Sequence, residues 1–415
     1  MTAAVALDRM RHAVRARGGT SPPASNLDAL AVSNRSMNPA LAQILRGEWH
    51  DTAHGAVFVC DEWLPLEHEH GALALRSALN ADRRALSLLL GSAAPELSRL
   101  AFFDIETTGL AGGTGTYVVI AGLGSYERAA AGEPLAFRMR QYFLADIAGE
   151  RAMLAMLGDD LRRFDGLVTY NGRTFDVPFV ETRLTLSRLP SPYPDLAHFD
   201  LLHPVRRLYR HRMPSCRLAD AERRLLRVER PDDVPGSLIP QLYFDYLRAG
   251  RIAPLRGVMR HNADDVLSLV GVLARLAALF TDERLDPEDA VAVARWWERE
   301  GEEGVASALY RDALPWLQGG GDWQWAAARH ARLCRRSGAR DEASALWGEL
   351  WAAGDRAAGL ELAKHLEHHS RDLAAAERVT RGLLAGASDA ERMTLTARME
   401  RLRRNQARRA AAAAA

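Results

Sequence analysis

The chain has 415 residues, 48% of them hydrophobic, and 54 Lys+Arg against 53 Asp+Glu leave a net charge of +1. That length suits two or three domains, and that composition excludes a wholly disordered or collagen-like chain. Near-neutrality neither demands nor excludes a nucleic-acid partner, because a basic groove can sit on a neutral protein.

Three dispersed cysteines, Cys60, Cys216 and Cys334, make neither a zinc spacing nor a disulfide framework. A reduced, cytoplasmic setting is expected. No run of about 18 apolar residues occurs, so no membrane span is expected. Almost all the positive charge is arginine, with Lys364 the single lysine. That bias suits phosphate pairing, but genome composition explains it equally well.

Residues 1–36 contain GGTSPPASN and read as a poorly ordered leader, without the long apolar core of a secretory signal. Residues 37–98 form a mixed segment, with a strand or hairpin in GAVFVCDEWLP (55–65) and a helix over 75–92. His68 and His70, in HEH, read as strand alternation or surface rather than metal ligands. Residues 99–283 alternate strand and helix signals. The run RLAFFDIET, a glycine-rich turn GLAGGTGT (109–116), then YVVIAGLGSY and FRMRQYFL predict three strands in succession. A helix over 150–164, a strand in GLVTYNG (166–172) and a helix from DVPFVETRLTL follow. This β-β-β-α-β-α order predicts an α/β domain, a mixed sheet flanked by helices. The glycine-rich turn is no Walker or dinucleotide loop, because a strand follows it and no GK[ST] does.

From residue 287 the strand signals stop. VAVARWWEREG, RHARLCRRSG and LELAKHLEHHS head three helix pairs, and Ala294, Ala331 and Ala363 each stand seven residues before Gly301, Gly338 and Ser370. The period, in the thirties, predicts an all-α unit of tetratricopeptide-like repeats over 287–400, with 401–415 a fraying helix or tail. Stacked pairs make concave surfaces, so a protein partner is expected there.

The chemistry gathers in three segments. In FFDIETTGL (102–110), Asp104 and Glu106 are two apart on a strand and point to one face. Burying two like charges is costly, and a bound divalent cation removes the cost. In LVTYNGRTFDVPFVETRL (167–184), Asp176 opens a helix, where a plain N-cap is the simpler reading. In HNADDVLSLVGVLARL (261–276), His261 and Asp265 are four apart and share a helix face, while Asp264 points a quarter-turn away.

Taken in order, these segments resemble the three motifs of the DEDD (DnaQ-like) exonuclease superfamily of ribonuclease H-like fold. Together with HFDLLHPVRRLY (198–209) and CRLADAERRLLRVERPDDVPGSLIPQLYFDYLRAG (216–250), they are most similar to YprB-like proteins. The resemblance covers about 99–280. It implies a metal-dependent 3′–5′ exonuclease acting on single strands or 3′ ends of DNA or RNA. Asp104, Glu106, Asp176 and Asp265 would be ligands of two Mg²⁺ or Mn²⁺ ions ~3.5–4 Å apart. A structure-specific endonuclease and a non-catalytic scaffold remain as alternatives. The general base is open. The superfamily places a His five residues before the last Asp or a Tyr four before it, whereas His261 stands four before Asp265. It is a candidate for taking a proton, positioning water, ligating a metal or capping. Thr107, Thr108, Gly109 and Leu110 are expected against the terminal nucleotide, and Asn171 against a phosphate or Asp176, with ordinary turns as the simpler account. Two arginine clusters, Arg206, Arg207, Arg210 and Arg212 around Tyr209, and Arg223, Arg224, Arg227 and Arg230, are candidates for gripping a strand.

Overall fold

The structure, a computed structural model, describes residues 38–91, 94–109, 115–282, 284–317 and 321–414. The leader, Leu110 and most of the glycine-rich turn lie outside the described residues. The chain forms two compact units, one running to Ala278 and one from Leu279.

The first unit is built on a seven-stranded mixed sheet. After a short helix α1 (Pro39–Leu45), strands β1 (Glu48–Thr52) and β2 (Gly55–Leu64) form a hairpin. Two short strands β3 (Glu69–His70) and β4 (Leu73–Ala74) pair separately. Where one helix over 75–92 is expected, there are two, α2 (Arg76–Leu79) and α3 (Arg83–Leu90). Asp82 causes the break, because its side chain accepts from the Ala85 N–H and caps the second helix.

The three expected consecutive strands are β5 (Leu100–Thr107), β6 (Val118–Arg128) and β7 (Leu135–Phe143). Helix α4 (Glu150–Leu161), strand β8 (Gly166–Thr169), helix α5 (Asp176–Leu186) and strand β9 (Ala197–Asp200) complete the β-α alternation. The sheet order is β1-β2-β7-β6-β5-β8-β9. Strand β8 runs parallel to β5 and β9, and the other pairs are antiparallel. The 55–64 strand thus adds to the central sheet along β7.

The remaining helices are α6 (Leu202–Tyr209), α7 (Leu218–Ala221) continuing into a π turn to Leu226, α8 (Ile239–Ala249) and the long α9 (Leu255–Ala278). On one face of the sheet, Ala101, Phe103, Ala121 and Leu123 join Leu154, Leu157, Val180 and Leu184 in one buried cluster. A buried pair of Arg183 and Glu150, 2.5 Å apart, ties α5 to α4. The opposite face carries α9. Phe102 pairs with Gly124 and Asp104 with Gly122. A Cβ on Gly124 would stand 2.7 Å from Val266, so the helix approaches at glycine distance. Tyr243 and Tyr246, in the Pro/Gly-interrupted segment, are core residues whose hydroxyls donate to Leu144 O and Ala145 O.

The second unit is a tandem array of helices: α10 (Pro287–Arg299), α11 (Glu303–Ala313), α12 (Gly321–Ser337), α13 (Arg340–Ala352), α14 (Arg356–His368), α15 (Leu373–Leu384) and α16 (Asp389–Ala414). Ala294, Ala331 and Ala363 are fully buried. A methyl group at each lets paired helices close on one another. Gly301 and Gly338 take φ of 83° and 87° after their helices, and in the third pair Arg371 makes the left-handed turn rather than Ser370. Residues 401–414 continue α16, and Leu402 packs on Leu373 and Ala376.

Candidate metal centre

Three separate elements deliver the acidic residues. Strand alternation puts Asp104 and Glu106 on the α9 face of β5, at its C-terminal end, where the register with β6 shifts between Glu106 and Thr107. Asp176 opens α5 and is buried. Its carboxylate does not serve as a simple cap, because it takes hydrogen bonds from its own N–H and from the Ile105 N–H of β5. Asp265 and His261 come from the face of α9 turned to the sheet. The charge of Asp265 acts on Asp104 and Glu106 and, as the smallest of the causes acting there, on Asp176, so the four carboxylates face a common region.

The charge is poorly compensated. Burial raises the Asp104 pKa well above the ordinary range, and Asp265, Asp176 and Glu106 add to it, against one hydrogen bond from Asn262. Burial pushes Glu106 to about 8, offset by His261 and reinforced by Asp265 and Asp176. Burial likewise pushes Asp176 to about 7. Among the described residues, no arginine or lysine pairs with Asp104, Glu106 or Asp176. Burial pulls the His261 imidazole down, but Asp265, Glu106 and Asp233 outweigh it and leave its pKa raised.

Glu106, His261 and Asp265 offer ligand atoms within 4.8 Å of one another. His261 Nε2 lies 3.4 Å from Glu106 Oε1 and 3.8 Å from Asp265 Oδ2. Nδ1 faces the other way and lies 2.8 Å from Asp233 Oδ1. The carboxylate oxygens of Glu106 and Asp265 are hard donors of the kind that hold a divalent cation, and the imidazole stands beside them.

Several participants escape sequence reading. Asn262 is fully buried beside Asp104 and donates to its Oδ2 at 2.9 Å, while Gln141 Nε2 donates to Asn262 Oδ1 at 2.9 Å. Asn262 adjoins His261 in the motif, but only its contacts give it a role. Arg230 Nη1 donates to Asp265 Oδ1 at 2.6 Å and its Nη2 pairs with Glu222, so this arginine neutralises acids rather than gripping a strand. Ser268 Oγ donates to Glu222 at 2.5 Å and meets His70 Nε2 at 2.7 Å, which makes His70 part of the support for Arg230. Phe175, just before Asp176, is 44% exposed. A cleft of about 440 Å³ opens beside His261 and Asp265, lined in part by Leu218, Ala219, Arg223 and Pro231.

The other expected contacts divide. Thr107 Oγ1 donates to Gly109 O, and Thr108 Oγ1 accepts from the Tyr117 N–H, so both hydroxyls serve the turn. Asn171 sits at φ 65°, with its N–H bonded to Asp200 Oδ1 and its Oδ1 accepting from Thr174. Asp200 also accepts from the Leu202 N–H at the start of α6. Tyr209 is buried under Arg212, 4.6 Å from its ring centroid, and offers no face for stacking a base. The amphipathic spacing of α6 turns it inward with Val205 and Leu208.

Comparison with known proteins agrees with this geometry. A family model described as RNase_H superfamily matches residues 101–277. A Bacillus subtilis (strain 168) protein described as uncharacterized protein YprB is 32% identical over 357 residues, covering 82% of this chain and 84% of its own length. No helix among the described residues is long and apolar enough to cross a membrane.

Proposed function

The chain belongs to the YprB family, with an RNase H superfamily domain over 101–277, and from that premise we propose that it is a divalent-metal-dependent 3′–5′ exonuclease of DNA or RNA. One observation carries the reading. Four carboxylates from three elements converge in a half-buried site that holds more negative charge than its own side chains neutralise.

Asp104, Glu106, Asp176 and Asp265 would hold two Mg²⁺ or Mn²⁺ ions. When bound, such ions supply Lewis acidity and positive charge for hydrolysis of a phosphodiester. The chain's own groups do the rest. His261 Nε2, turned into the site, accepts a proton from the attacking water. Asn262 and Arg230 fix the carboxylates of Asp104 and Asp265. The exposed ring of Phe175 offers a stacking face for a terminal base, a contact that tolerates any base. The 107–110 turn would lie against the terminal nucleotide, and the helical array would recruit a protein partner.

The test is a Mn²⁺-dependent assay on matched DNA and RNA oligonucleotides. Stepwise shortening from the 3′ end is expected, with a circular single strand left intact. Internal cuts in the circle would replace the exonuclease reading by an endonuclease on the same site.

A second expectation concerns stability. Carboxylates whose pKa is raised on folding bind more protons in the native state, so their contribution is intact below the unfolded values of 3.8 for Asp176 and 4.5 for Glu106 and is lost as pH climbs toward the folded values of about 7 and about 8. A bound cation replaces those protons. Thermal melts should therefore show a larger stabilisation by Mn²⁺ at about pH 8 than at about pH 6. An equal shift at both pH values would contradict the ligand assignment.

A further inference from the structure

The segment 230–233 runs alongside α9 and is hydrogen-bonded to it along its length. Arg230 meets Asp265 and Ser268, the Asp232 carbonyl accepts from Arg260, and Asp233 meets His261. Asp265 and His261 are themselves four apart on the helix, so Arg230 and Asp233 on this strap each face a complementary group. Arg230 is anchored behind by Glu222 and Ser268, and Pro231 restricts the backbone between Arg230 and Asp233.

Both carboxylate oxygens of Asp233 lie near His261 Nδ1, at 2.8 and 2.9 Å. An ionised carboxylate only accepts, so Nδ1 is the donor. On the other side of the ring, carboxylate oxygens of Glu106 and Asp265 stand 3.4 and 3.8 Å from Nε2, longer than a good hydrogen bond. Glu106 and Asp265 would also accept a proton from the neutral ring, and without Asp233 they would draw it to Nε2. The ring would then have no acceptor facing the site.

We propose that Asp233 is a positioning residue that holds the proton of His261 on Nδ1 and thereby presents the Nε2 lone pair to the carboxylate site. This rests on the nuclease reading for its consequence, but not for its geometry. It gives His261 its orientation in spite of its unusual spacing from Asp265: the imidazole is aimed by the strap, not by the helix alone.

The experiment uses the full chain with ¹⁵N-labelled histidine and Mg²⁺, at a pH where the imidazole is neutral. Long-range ¹H–¹⁵N spectra identify the His261 signal by its loss in His261→Gln. The wild type is expected in the Nδ1–H form. In Asp233→Asn, which keeps the size of the side chain, the amide can donate to Nδ1, and the ring proton should move to Nε2. The kcat on a 3′-ended oligonucleotide should then fall about 10–100-fold with KM and Mg²⁺ affinity unchanged. Asp233→Ala should give the same direction. The proposal is overturned if wild-type His261 carries its proton on Nε2, or if both variants keep the Nδ1–H form and wild-type kcat. A loss of kcat matched by an equal loss of Mg²⁺ affinity also overturns it, because Asp233 would then act on the metal ligands. If the wild type cleaves no oligonucleotide, the nuclease reading falls, and the tautomer still decides the proposal.

Discussion

Asp104→Asn should abolish metal-dependent cleavage while making the metal-free protein more stable. The two effects share one cause. Asp104 is half-buried on β5 among Asp265, Asp176 and Glu106, and desolvation, followed by those charges, raises its pKa well above the ordinary range. At neutral pH the metal-free protein must either protonate it or keep an ill-compensated charge inside. An asparagine has the same shape, keeps an acceptor for Asn262 Nδ2, and removes the charge. Relief of about 1–3 kcal/mol is the scale for an ill-paired buried charged group, and each kcal/mol is worth about 2–4 °C in a unit of this size. The gain in Tm should shrink as the pH falls and vanish only below 3.8, the unfolded value, where wild-type Asp104 is protonated in both states. Cleavage should drop by about 10²–10³-fold, the scale for removing one preorganised electrostatic element. Melting curves across pH and an oligonucleotide assay check both halves. A variant that is less stable and still active would contradict the site.

Gly122→Ala should be nearly as damaging, although residue 122 has no side chain to contribute. Gly122 pairs with Asp104 across β5 and β6, and a Cβ there would stand 2.4 Å from Asn262 Oδ1. Asn262 is fully buried and held by Gln141, so it cannot swing into solvent. Either it gives up its bonds to Gln141 and Asp104, or α9 moves outward with His261 and Asp265 on it. Overpacking of this kind costs about 1–3 kcal/mol. A displacement of 1 Å in a positioned site costs about 10²-fold in rate. Denaturation and kcat measure the two losses. Gly304→Ala, in a helix of the second unit with nothing within 4 Å of its Cβ position, is the control and should leave both unchanged. Restoring space with Gly122→Ala plus Asn262→Ala should recover stability more than activity.

Much of this was legible without coordinates because the relevant signals are local. A strand alternates with period two, so Asp104 and Glu106 had to share a face; a helix repeats at three to four residues, so His261 and Asp265 had to share theirs. Buried alanines ahead of turn residues marked the helical array for the same reason. The sequence by itself therefore determined most element types and their order, and it nominated the acidic residues. It could not determine what surrounds that cluster. Whether residues 75–92 formed one helix or two depended on where Asp82 found an N–H to cap. Tyr209 looked available for stacking until α6 packed it inward under Arg212. Arg230 looked like one more basic residue until the fold set it against Asp265.

The acceptor aimed into the site depends on Asp233, 28 residues away in the chain from His261. The closeness of α9 to Asp104 depends on Gly122, which meets Asn262 only through the register of β5 and β6. These are long-range pairings with no periodicity to betray them. They arise when a sheet and a helix settle at one distance and one register, and only the tertiary structure fixes either.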